Sequence, residues 1–140
     1  MNQDGNMITV VDYSDAFFVE LRQEPVPGCR GGKFVQIAHR GDHYFVFSPR
    51  DLSPYHADIV ERFLALRGVE GFYNEKGDLF QPESREWEVV GGAHWMLDEE
   101  LRVLRVYGES LAYGRLDLDR VAQTLRDAGA FHGIPRINVG

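Results

Sequence analysis

The chain contains a single cysteine, Cys29. It has no partner for an internal disulfide and cannot build a cysteine-based zinc site alone. It lies in a Pro/Gly-rich stretch, where an incidental role is expected. No apolar run approaches the roughly 20 residues that a membrane-spanning helix needs. The opening segment Met1–Asn6 is polar, without the cationic and apolar regions of a signal peptide. Basic charge is scarce: 15 Lys and Arg stand against 22 Asp and Glu, a net charge of -7. Nucleic-acid binding needs a clustered basic face, so the balance argues against that class. A local anion site remains open, because backbone amides and one or two cations can build one. The expectation is a soluble cytoplasmic protein with no membrane or nucleic-acid partner; a monomer is favoured, with the oligomeric state left open.

What is present is ordinary for a globular domain. The 140 residues suit one domain, 1–140, and 44% of them are hydrophobic. A chain of this size buries roughly 68–70% of its unfolded surface and folds without staples. No internal repeat stands out. Ile8–Val11 and Phe17–Leu21 read as short strands, followed by a loop through Pro25–Gly32. Lys33 to Phe47 reads as a hairpin turning at Arg40-Gly41-Asp42. Lys33 shares strand parity with Val35 and Ile37, so it heads an inward face, which is unusual for lysine.

Ser53 and Pro54 signal the start of a helix, as N-cap and first helical residue. Ile59, Val60, Phe63 and Leu64 mark its buried stripe, and Gly68 its end. A loop-rich stretch runs through Asn74–Glu86. Two or three strands follow, with Trp87–Val90 running into Gly91-Gly92, then Trp95–Leu97 and Leu101–Tyr107. The last of these is apolar on both faces and is expected to be central. Leu118, Val121, Ala122 and Leu125 predict a second helix from about Asp117 to Gly129. Ile134–Val139 suits a final strand. The fold class is α+β: a single domain with one mixed sheet, built mainly of hairpins, and two packed α-helices.

Two segments carry chemistry. His56 falls near the third residue of the first helix, at the head of its apolar stripe. The helix dipole favours neutral imidazole there, whereas a bound phosphate would favour imidazolium. A packing histidine bonded to a backbone carbonyl is the plain alternative. Gly108 to Gly114 has small residues at Gly108, Ser110, Ala112 and Gly114. Such a loop lets successive amides converge on an anion, and Ser110 adds a hydroxyl; a simple strand-to-helix turn uses the same residues. Gly108-x-Ser110-x-Ala112 is an imperfect nucleophile elbow, but no acid and histidine follow at convincing positions. His39 and His43 stand four apart in a hairpin with Gly41 between them, where the shared-metal spacing of a helix does not apply. No metal is expected. Trp87, Trp95, Phe45 and Phe47 read as core.

The segments Tyr55-His56-Ala57-Asp58-Ile59, Gly91-Gly92 and Val106-Tyr107-Gly108-x-Ser110-x-Ala112-Tyr113-Gly114 resemble the small phosphohistidine phosphatases, the Janus/Ocnus family. The resemblance runs from about Lys33 to Gly114. It implies a cofactor-free, metal-independent phosphatase acting on phosphohistidine and other phosphoramidates in proteins or peptides. It makes His56 the catalytic group, as general base or phosphoryl acceptor. Ser110, Leu111 and Ala112 would hold the phosphate, with Lys33 as a substrate-binding cation. Where the family continues Gly-Gly with a third glycine and an arginine, this chain has Ala93 and His94, which makes His94 a phosphate-binding candidate. An arginine before the first helix has no clean counterpart; Ser48 lies nearest and Arg50 is close by. The less cationic pocket motivates a rival, a phosphate- or phosphoprotein-binding module without turnover. An enzyme for a small phosphorylated metabolite is a third reading.

Overall fold

The computed structural model describes residues 6–131, 134 and 136–140. Among the described residues, eight strands and two α-helices make one mixed α+β domain. The strands are β1 (Ile8–Asp12), β2 (Cys29–His39), β3 (Asp42–Pro49), β4 (Gly71–Tyr73), β5 (Phe80–Pro82), β6 (Trp87–Asp98), β7 (Val103–Tyr107) and β8 (Arg136–Val139). The helices are α1 (His56–Leu66) and α2 (Leu118–Asp127). The main sheet has the order β1-β3-β2-β6-β7-β8, while β4 and β5 pair separately. Both edge strands run parallel to their neighbours, and the inner pairs are antiparallel.

The sheet separates two cores because strand side chains alternate between faces. On one face Phe34, Phe45, Phe47, Trp95, Leu104 and Val106 pack with Val121, Ala122 and Leu125 of α2. On the other, Val35, Ile37 and Val46 pack with Ile59, Val60, Phe63 and Leu64 of α1. Burying each such large apolar side chain contributes about 1.5–3 kcal/mol. The helical spacing in the sequence therefore marks the faces the helices do bury.

Several expectations need correction. Phe17–Leu21 is no strand; Asp15–Leu21 is π-helical, with Phe17 buried and Arg22 stacked over its ring. The segments at Trp87 and Trp95 belong to one continuous strand, β6, because Gly91 and Gly92 stay in the ladder opposite Gln36 and Val35. The stretch Asn74–Glu86 includes β5. β7 is internal but off-centre, since β2 and β6 hold the middle of the sheet. The last strand begins at Arg136 rather than Ile134. α1 begins at His56, two residues after the sequence signal. The Tyr55 amide donates to Asp58 Oδ2 at 3.0 Å, so the aspartate closes the first turn. Ser53 instead turns inward, where it accepts from Ser48 Oγ at 2.7 Å and from Arg62 at 2.8 Å. The α2 signals are borne out: Asp117 caps the helix by accepting from the Arg120 amide at 3.2 Å, and Gly129 leaves it with φ of 68°.

One irregularity decides what faces α1. Gln36 pairs with Gly91 but Ile37 pairs with Val89, so Val90 is an extra residue on β6. This bulge reverses the side-chain alternation of β6. Val89 lies on the α1 face, yet Ala93, Trp95 and Leu97 lie on the α2 face. The even-numbered residues Gly92 and His94 are thereby brought to the side of α1.

Candidate active site

A row of residues crosses the centre of the sheet on the α1 face. Lys33 of β2 pairs with Ser48 of β3 on one side and with His94 of β6 on the other. His94 pairs in turn with Tyr107 of β7. Lys33 is half-buried and holds the inward parity that its neighbours Val35 and Ile37 predict. Its carbonyl and that of Ser48 both accept from the Trp95 indole at 3.1 Å, which anchors this end of the row.

His56, as the first residue of α1, reaches down onto β6. Its Nε2 donates to the Ala93 carbonyl at 2.8 Å. The ring is only 6% exposed. Its close approach depends on Gly92: a Cβ there would stand 2.7 Å from His56 Cδ2 and 3.1 Å from Nε2. The Cδ2–Nε2 edge is thus pressed on the strand, and the opposite edge, bearing Nδ1, faces away from it. With Nε2 protonated for the Ala93 bond, the neutral ring carries its lone pair on Nδ1. Burial pushes the imidazole down to about 4, and the nearby His94 and Lys33 charges act the same way, against the stabilising Ala93 carbonyl. His56 is therefore neutral at physiological pH.

His94 sits beside it, ring centroids 5.6 Å apart at 78°. The His94 ring stacks on Tyr107, 5.5 Å between centroids. It also rests on Gly108, which has φ of 72° and whose added Cβ would meet His94 Cδ2 at 2.7 Å. Glycine is needed there for the backbone conformation and for the space. Partial burial lowers the His94 pKa, as does the charge of Lys33 and, more weakly, Arg50; a bond to the Glu109 carbonyl opposes them. Arg50, noted in the sequence only as lying close by, thus belongs to the electrostatic surroundings of the site.

The small-residue loop completes the arrangement. It leaves β7 beside His94 and returns to β6 where the Gly92 amide donates to the Gly114 carbonyl at 3.2 Å. It therefore ends at the residue on which His56 lies. Ser110 is 2% exposed, and its Oγ accepts from the Tyr113 amide at 3.0 Å. The Gly114 amide donates to the Ser110 carbonyl at 2.8 Å. Ser110 thus shapes the turn. The Leu111 and Ala112 amides at its tip have no acceptor among the described residues. Tyr113 fixes the loop from below: its hydroxyl accepts from the Phe80 amide and donates to the Phe80 carbonyl, both at 2.7 Å. Burial, chiefly, pushes this phenol up to about 12.

Lys33, His56 and His94 thus stand together on the α1 face, and the Ser110 loop leaves β7 beside them, while its Leu111–Ala112 tip borders the Asn74–Leu79 turn. No protein-family model matches this chain, and no curated protein matches it either. The reading of the site accordingly rests on its own geometry.

Among the described residues no three His, Cys, Asp or Glu side chains are grouped to hold a metal ion. His39 stacks on Trp87 at 3.9 Å, and His43 Nδ1 lies 2.9 Å from Gln36 Nε2. His132 lies outside the described residues. Beside the N-terminus of α1 a groove of about 480 Å³ opens between Tyr55, Ala57, Asp58, Tyr73, Gly77 and Asp78. Tyr55 on its rim is 70% exposed. Sequence reasoning did not find three contributors: Gly92 as the seat of His56, the Ala93 carbonyl that sets its tautomer, and the Tyr113 clamp. Only the Gly91-Gly92 step left a signal, as two glycines interrupting an otherwise apolar strand.

Proposed function

We propose that this protein is a metal-independent phosphatase that hydrolyses phosphohistidine and related phosphoramidates in proteins or peptides. The observation that carries the reading is the state of His56. Its Nε2 is committed to the Ala93 carbonyl, so a neutral ring has Nδ1 free to take a proton or attack phosphorus. Phosphoryl transfer passes through a loose transition state whose charge lies on the equatorial oxygens, so positioning and electrostatics dominate. The unpaired Leu111 and Ala112 amides and the Lys33 ammonium are suited to those oxygens. Ser110 contributes by shaping the turn that carries these amides. His94 adds a group able to bind the phosphoryl oxygens.

His56 acts in this reading as base for an in-line water or as transient phosphoryl acceptor. A rapid-quench trial for an acid-labile, base-stable phosphoenzyme separates the two. The primary test is phosphate release from a phosphohistidine peptide with EDTA present, for the wild type and His56→Ala. Turnover by the wild type, lost in a folded variant, supports the phosphatase; undiminished turnover in the variant removes His56 from the chemistry.

One observation favours a second reading. The Nε2–Ala93 bond and the near-complete burial of the ring are also what a packing histidine displays. The protein would then be a phosphate- or phosphoprotein-binding module using Lys33 and the Ser110 loop. Phosphate binding without hydrolysis by folded wild-type protein would select it.

A further inference from the structure

Granted the phosphatase reading above, we propose that His94 is the general acid of the reaction, donating a proton to the nitrogen that leaves phosphorus. Hydrolysis of a phosphoramidate needs such a group. When the P–N bond breaks, its electron pair stays on nitrogen, and an unprotonated amide or imidazolide anion is a poor leaving group. One group must take a proton and another must give one. A neutral His56 can only do the first.

The geometry presents a second imidazole at the required place. The two rings lie edge to face with centroids 5.6 Å apart, so both border the same small space. The His94 ring is flanked on two sides: Tyr107 stacks on it, and Gly108 packs against it without a Cβ. The Glu109 carbonyl nearby favours the protonated ring, against the two cations. The charged and titratable groups that face it are Lys33 from β2, Arg50 after β3, His56 from α1 and Tyr107 from β7. The two permanent cations make protonated His94 a readier donor, and an arriving phosphoryl dianion opposes them and loads the proton as substrate binds. The bulge at Val90 brings His94 to this face at all.

The step balances as follows. Water oxygen forms a bond to phosphorus while His56 Nδ1 takes one of its protons. The P–N bond breaks, its pair going to nitrogen, and His94 supplies the proton there. The products are phosphate and the neutral amine or imidazole. His56 then holds one proton more and His94 one fewer, and solvent exchange restores both.

A matched pair of substrates tests this. Phosphoimidazole leaves as an anion unless it is protonated, whereas 1-phosphoryl-3-methylimidazolium leaves as a neutral molecule with no proton needed. The variants are His94→Arg, which keeps a positive charge but cannot give up its proton, and His94→Gln. General acid catalysis is worth about 10²–10⁴-fold, so both variants should slow kcat on phosphoimidazole by about 100-fold. On the methylated substrate His94→Arg should lose less than about tenfold, since it forfeits only the proton-transfer share. Equal slowing of both substrates, or undiminished phosphoimidazole turnover in His94→Arg, would overturn the general acid while leaving the phosphatase in place. A wild type that turns over neither substrate, nor a phosphohistidine peptide, would overturn both.

Discussion

The ring of His56 lies directly on the α-carbon of Gly92, where even a methyl group would come within 2.7 Å of the imidazole. A side chain from the start of a helix and a residue with no side chain, 36 positions later, are thus fitted to one another. The glycine lets the histidine reach the Ala93 carbonyl, and that carbonyl leaves the histidine with Nδ1 as its free nitrogen.

Gly92→Ala should therefore damage activity more than fold. The new Cβ would also meet the Phe34 carbonyl at 3.0 Å, so overpacking is expected to cost about 1–3 kcal/mol. The distinguishing result is loss of phosphate release at temperatures where circular dichroism shows the variant folded. A variant that is destabilised yet fully active would mean that the ring's seat is unimportant to the chemistry.

His56→Ala should abolish turnover and leave the domain folded. The ring donates one hydrogen bond, worth about 0.5–1.5 kcal/mol net, and the Ala93 carbonyl keeps its place in the β2–β6 ladder when the ring is removed. Thermal unfolding beside a phosphate-release assay checks both halves.

The depressed pKa of His56 ties stability to pH with a definite sign. The unfolded chain takes up this proton near 6.5, while the folded protein takes it up near 4. Protonation between those values favours the unfolded state. The contribution is fully present above pH 6.5 and is lost as pH falls toward 4, by about 3 kcal/mol for a shift of this size. Denaturant titrations across that window should show a steeper loss for the wild type than for His56→Ala. A fall in kcat/KM with an apparent pKa near 4 is expected on the acid side, because the proposed reaction needs neutral His56.

Phosphate should be felt first at two amides. Titration of inorganic phosphate, followed by ¹⁵N chemical shifts, is expected to move Leu111 and Ala112, whose N–H groups are uncommitted. Lys33→Ala should weaken the binding without moving the loop. Shifts spread evenly over the surface, and unaltered by that substitution, would place the anion elsewhere.

Tyr113→Phe removes one hydroxyl that serves both backbone groups of Phe80. Leaving buried backbone groups unpaired costs about 1–3 kcal/mol, so the melting temperature should fall. Hydrogen exchange at the Phe80 amide should accelerate selectively. Unchanged exchange there would show that the β5 segment is held by other contacts.

Much of this molecule was legible in the chain. Apolar spacing at 3.6 and 2 residues located both α-helices and most strands, because burial of one face is a local property of the pattern. The inward parity of Lys33 was readable for the same reason, since Val35 and Ile37 follow it in register. So were the start of α2 near Asp117 and its stop at Gly129, where short-range backbone chemistry decides. Helix against strand failed at Phe17–Leu21, a short apolar run that either structure can bury. The start of α1 was misplaced because Ser53 carries an N-cap signal, yet buried Ser48 and Arg62 compete for its hydroxyl.

The site itself divides along the same line. Composition and motif named His56, Lys33, His94 and the Ser110 loop as separate residues; pattern alone could not bring them together. The tertiary structure brings His94 beside Lys33 and His56 through one extra residue. Val90 has no partner on β2, and from that point β6 presents its even-numbered side chains to α1. Without the bulge His94 would lie beneath the sheet among the residues that face α2. A bulge depends on how two strands 50 or more residues apart come into register, which no local periodicity records. Residue identity thus supplied the chemical groups, and strand pairing decided which of them share a face.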